Sequence, residues 1–126
     1  MNKALWAAQA LLGFAFLMAG AMKGLTPHEV LAVDMPVVAA IPPLAVKGIG
    51  LVEVLGAVGL ILPSVLRIQP VLTPVAAGGL VLTMVSAAGA HIAAGEANMI
   101  APSIVLGGLA AFVAWGRSTR HRIEPR

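Results

Sequence analysis

Four long apolar runs constrain this chain more than any other feature of it. Ala4 to Met22 is the first, with Gln9 its only strongly polar side chain. Leu44 to Leu62 is the second and contains Lys47 and Glu53. Val75 to Ala94 is the third, with His91 near its end, and Met99 to Trp115 is the fourth and shortest. A helix needs about 20 apolar residues to cross a bilayer. Charge is scarce as well, at 10% of residues, whereas a soluble domain carries roughly 25%. The solvent these runs call for is lipid. The expected fold is all-α: a single four-transmembrane-helix bundle over residues 1–118, followed by a basic tail at 119–126.

Punctuation between the runs supports this division. Pro43 suits the first turn of the second span, and Pro63 is expected just past its end. Thr73-Pro74 reads as N-cap and first helical residue of the third span. Asn98 reads as a cap for the fourth, with a bend expected at Pro102 and a stop at Gly116. The first run follows Met-Asn-Lys and contains Met-Ala-Gly-Ala, which resembles a leader with its cleavage site. It is longer than a leader's apolar core, so it is read as a retained span.

Lysine and arginine set the expected orientation. With four spans, Lys3, Arg67, Arg117, Arg120, Arg122 and Arg126 share one side, and Lys23 and Lys47 the other. Both termini are therefore expected in the cytoplasm of a bacterial inner membrane, with Trp6 and Trp115 at that interface. The basic residues form no stripe of the kind that tracks nucleic acid. The connection at 23–43 carries Thr26-Pro27-His28-Glu29, which has the form of a capping box. A short helix from Pro27 to about Asp34 is expected, lying on the outer membrane surface or across the bundle mouth, with an ordinary ordered loop as the alternative.

Helical spacing places the polar residues on small-residue faces. Gln9, Gly13, Phe16, Gly20 and Lys23 follow steps of four, three, four and three. Gly50, Gly56 and Ala57 share the face of Glu53, and Ala87, Ala88, Ala94 and Gly95 that of His91. Small residues allow helices to approach closely, so these faces are expected to meet. Glu53 falls about 13 Å below the outer end of its helix. An acid at such depth costs roughly 3 kcal/mol before pairing. Lys23 and His91 are its candidate partners, because Lys47 points about 120° away on the same helix. Glu53 is either a proton-exchanging or ligand-binding group, or a paired residue that sets helix register. With His91, Lys23, Lys47, Gln9 and Glu96 it forms the set of buried polar or ligand-binding candidates. Gly13, Gly20, Gly50 and Gly56 are the helix-packing candidates.

Other chemistries find little footing. The chain has no cysteine, which excludes disulfides, thiol redox chemistry and cysteine-bound metals. His28, Glu29, Asp34, His91 and Glu96 could gather at one rim, but they lack a metal-binding spacing. Ser64, Ser86 and Ser103 have no recognisable Ser-His-acid setting. No catalytic residue is assigned.

Several stretches resemble the DoxX-like family of small bacterial membrane proteins. Gly13 to Gly24 (GFAFLMAGAMKG) is similar to that family's first helix. In GIGLVEVLGAVGLILP at 48–63, Gly50, Glu53 and Gly56 match its G-x-x-E-x-x-G pattern. HIAAGE at 91–96 and FVAWGR at 112–117 resemble its ending. The resemblance implies a four-helix membrane bundle and lends weight to Lys23 and Glu53. Relatives in the wider superfamily include the small subunit of a thiosulfate:quinone oxidoreductase and a eukaryotic chaperone for receptor assembly. The resemblance therefore leaves several functions open. The first is a non-enzymatic membrane component that assembles with itself or with a partner protein. Its contact surfaces would be the Gly20-x-x-x-Gly24 pair and the Gly107-Gly108 step. The second is a quinone- or lipid-binding subunit of an oxidoreductase, with an outward-facing polar funnel. There His91 or Lys23 binds a carbonyl oxygen and Glu53 exchanges the proton. The third is a small-solute or proton pathway built by an oligomer.

Overall fold

The computed structural model describes residues 2–126, apart from the side chain of Asp34. It is all-helical, with no strand among the described residues. Three helices are long and apolar enough to cross a membrane: α1 (Asn2–Leu25), α4 (Pro43–Leu66) and α5 (Leu72–Ala93). Between α1 and α4 lie two short helices, α2 (His28–Asp34) and α3 (Pro36–Ala39). A 3₁₀ turn at Ala97–Met99 leads into α6 (Ala101–Trp115), which has 15 residues. A π-helical turn, Gly116–Arg120, extends it.

Neighbouring long helices run antiparallel, so the molecule has a terminal end and a far end. The terminal end holds both termini and the α4–α5 turn. The far end holds α2, α3 and the 3₁₀ turn. Leu12, Phe16, Leu60, Ala77, Leu80, Ala110 and Val113 fill the centre between the four longer helices. Outward-facing Phe14, Leu82 and Ile104 are 60% or more exposed. Apolar side chains turned outward in this number are what a hydrocarbon solvent accommodates. A second small cluster at the far end packs Leu31, Val37 and Val38 against Val46 of α4 and Ala90 of α5. The connection 26–42 is thereby held across the mouth of the bundle.

Several boundaries differ from those expected, and each has a physical cause. No capping box forms at Thr26, because the helix starts one residue later, with Pro27 at the N-cap and no side-chain cap bond. α4 does not stop at Pro63 but runs through it to Leu66. Proline removes one intrahelical hydrogen bond, to the carbonyl four residues back. That carbonyl is Gly59's, and Thr73 Oγ1 donates to it at 3.1 Å. Thr73 is thus not the N-cap of α5, which begins at Leu72; its hydroxyl serves α4. Asn98 does not cap α6, and Pro102 sits in the first turn of α6, where it forces no bend. Gly116 is the C-cap of α6, but with helical dihedral angles, so the chain winds on into the π-helical turn. A Cβ there would lie 2.5 Å from Leu5 Cδ2, so glycine's role is to let α1 pack against it while the helix continues.

Candidate functional site

The far end holds a cavity of about 280 Å³. Its wall is mostly apolar, with Phe16, Val38, Val46 and Leu106 among the lining residues, and α3 roofs it through Val37 and Val38. Lys23, Glu53 and His91 also line it, together with Thr83, Ser86 and Ser103.

Glu53 reaches this position because α1 and α4 touch backbone to backbone. A Cβ on Gly20 would come within 2.5 Å of Gly50 O, and one on Gly50 within 2.7 Å of Gly20 O. Only glycine permits that approach. One turn further along α1, Lys23 then lies level with Glu53, and Lys23 Nζ donates to Glu53 Oε1 at 2.6 Å. The Glu53 side chain is 2% exposed and that of Lys23 18%. Burying the carboxylate alone would be prohibitive, and the ammonium supplies both the opposite charge and a hydrogen bond. Glu53 Oε2 accepts no hydrogen bond from the described residues.

His91 pairs with Glu96 rather than with Glu53, at 3.1 Å from Nδ1 to Oε2. Helix-end geometry accounts for it. Gly95 adopts φ +77°, Glu96 N–H bonds His91 O at 2.7 Å, and Gly95 N–H bonds Ile92 O at 3.0 Å. This is the Schellman arrangement, and it folds Glu96 back over the His91 ring. With Nδ1 so held, Nε2 has no protein partner among the described residues. No hydrogen bond joins Ser86 or Ser103 to the ring either.

The remaining candidates lie elsewhere. Lys47 Nζ donates to Gly24 O at 3.2 Å, an exposed contact at the end of α1. Glu96 is one step outside the cavity wall. His28 Nδ1 is buried without a partner among the described residues, and the side chain of Asp34, a rim candidate, lies outside them. Gly13 meets Ile61 of α4, with 3.0 Å to a Cβ. Gly56 faces Leu80 of α5 at 2.7 Å instead of lining the Glu53 face. Of the expected Gly20-x-x-x-Gly24 surface, Gly20 is used inside the chain, whereas Gly24 is open. Gly107 is likewise covered by Met84, while Gly108 is open.

Gln9 belongs to a second polar centre, near the terminal end, which joins all four longer helices. Arg117 Nε donates to Gln9 Oε1 at 2.6 Å. Gln9 Nε2 donates to Leu60 O at 2.6 Å and to Ser64 Oγ at 3.3 Å. Ser64 Oγ and Thr73 Oγ1 are 2.6 Å apart. Thr73 spends its only proton on Gly59 O, so Ser64 is the donor of that pair. The result is one directional chain, from a guanidinium to the carbonyl that Pro63 leaves free. Gln9 and Thr73 are fully buried, Ser64 2% exposed and Arg117 4%.

Arg117 is the residue that sequence reasoning missed, having counted it only among the basic residues that set the orientation. The signal was present. Ser103, Ala110 and Val113 are the buried face of α6, and one further step of four reaches Arg117. Trp6 lies beneath its guanidinium, 4.9 Å from ring centroid to Cζ.

A chain with this outward-facing apolar surface and these paired intramembrane charges is a small helical membrane protein. Residues 7–113 match the model of the DoxX-like family, and the chain belongs to that family. No curated protein and no solved structure matches it. The matched segment includes Lys23, Glu53 and His91, and stops before Arg117.

Proposed function

We propose that this protein is a non-enzymatic membrane component whose far-end cavity holds a small, largely apolar molecule bearing a carbonyl or hydroxyl oxygen. A quinone headgroup or part of a lipid has that chemistry. One observation carries the reading: Glu53 Oε2 and His91 Nε2 both lack partners among the described residues, and both residues line the same apolar cavity. Polar groups of this kind in an otherwise apolar wall are how small-molecule sites fix orientation. The cavity, at about 280 Å³, suits a ring or a chain segment rather than a large solute. The reading includes four crossings, with α6 and its π-helical turn as the fourth. Both termini face the cytoplasm of a bacterial inner membrane. Trp6 beside Arg117, and Trp115 with Arg120 at 5.7 Å, support that placement of the terminal end.

Native mass spectrometry of gently extracted protein tests this reading. Wild type is expected to retain a small molecule that Glu53→Gln and His91→Ala lose. Glu53→Gln leaves Lys23 without its counter-charge, at a cost of about 3–5 kcal/mol if the site behaves as other buried pairs do. The double variant Lys23→Met/Glu53→Met, which removes both charges together, is expected to keep the fold and serves as control. A wild-type protein that flies bare, and binds no quinone on titration, would remove the cavity from consideration. Assembly with itself or with a partner through open faces such as that of Gly108 would then be the reading to pursue.

A further inference from the structure

The terminal end carries a second hollow, of about 510 Å³. Arg67, Arg117, His121 and Arg122 line it, with Asn2 and Trp6, and no acidic residue does. It is walled by the C-terminal segment, which folds back onto the α4–α5 turn. Arg126 N–H bonds Arg67 O at 2.9 Å, and Arg67 Nε bonds Glu124 O at 2.8 Å. An adjoining hollow of about 660 Å³ shares Arg117 and Arg122 and has Glu124 in its wall.

Arg117 is the unusual member. It is 4% exposed, and its hydrogen-bond partners are all neutral: Gln9 Oε1, Asn2 Oδ1 at 2.7 Å and His121 O at 3.0 Å. Its Nη2 is buried and has no partner among the described residues. The two ion pairs among the described residues are both at the far end. A buried guanidinium thus lacks both a counter-charge and one of its hydrogen bonds, and buried charges are normally paired. Two further guanidinium groups border the same space. Three such forks around one hollow match the several acceptor oxygens of a phosphate group.

We propose that this hollow binds a phosphate group, carried by an anionic lipid headgroup or by a free phosphate, with Arg117 at its base and Arg67 and Arg122 at its rim. The site is at the opposite end from the cavity discussed above, so either assignment can fail without the other. The full-length protein is tested with two probes. One is a set of phosphatidylcholine nanodiscs with increasing phosphatidylglycerol; the other is inorganic phosphate in detergent, against chloride at equal ionic strength. Enrichment of phosphatidylglycerol on the protein, with no thermal shift from phosphate, assigns a lipid headgroup. A thermal shift from phosphate alone assigns a free anion. In either case Arg67→Gln/Arg122→Gln, two exposed positions outside the Gln9 chain, is expected to weaken binding about tenfold, roughly one charge-assisted hydrogen bond. Arg117→Lys keeps the charge without the fork and is expected to weaken it as well. The proposal is overturned if neither probe binds above its control, or if the double variant binds as wild type does.

Discussion

Gly20 and Gly50 sit where α1 and α4 cross, and the position of Glu53 depends on them. An added methyl at Gly20 meets backbone atoms, Gly50 O at 2.5 Å and Val54 N at 2.9 Å, whereas one at Gly24 meets nothing within 4 Å. Gly20→Ala is therefore expected to destabilise by about 1–3 kcal/mol, as overpacking does. Gly24→Ala should be near neutral. Thermal unfolding of both variants in detergent checks the contrast, and equal melting of the two would mean the helices do not cross as described. At this scale the sequence was partly legible. The α1 stripe Gln9, Gly13, Phe16, Gly20, Lys23 states the spacing that buries its first four members and brings the fifth to Glu53. The pairing of His91 was not legible from helical periodicity. It depends on Gly95 leaving the helix in a left-handed conformation, and the 3.6-residue rule stops applying where the helix ends.

Helix boundaries follow from which backbone groups find partners. Pro63, Thr73 and Gly59 form one unit split between α4 and α5, since the proline frees a carbonyl that the threonine takes. Thr73→Val removes that donor and leaves Gly59 O and Ser64 Oγ short of partners. It should cost about 1–3 kcal/mol, the penalty for unsatisfied buried groups. Pro63→Ala restores the intrahelical donor to Gly59 O, so Thr73→Val should cost less in that background. A double-mutant cycle by reversible unfolding measures the coupling, and strict additivity would show that the two residues do not share a carbonyl. Proline and threonine read locally as a stop and a cap. Across helices they complement each other, and that relation is invisible until the elements are docked. Three of the four expected spans, those of α1, α4 and α5, were legible, because length and apolar content are properties of the chain alone. The helix ends were not, because the carbonyl that Pro63 frees is taken by Thr73 on the next helix and Gly116 is packed against Leu5 of α1.

The whole molecule is polarised, with an ion pair beside an apolar cavity at one end and a hydrogen-bonded chain leading to a basic hollow at the other. If the four longer helices all cross the bilayer, these ends face different compartments. The absence of native cysteine makes this simple to check. Single cysteines at Gln69 and Glu124 should react with a membrane-impermeant maleimide from the same side, and one at Ala97 from the other. Labelling of all three from one side would exclude four crossings. The link between Gln9 and Arg117 spans 108 positions, and this has a consequence for how the protein is made. On the ribosome, α1 and α4 can dock through Gly20 and Gly50 as soon as both have entered the bilayer. The Gln9 oxygen must wait for Arg117 to be synthesised before its charged partner arrives. The bond that ties the first helix to the last turn therefore cannot form until nearly the whole chain has been made.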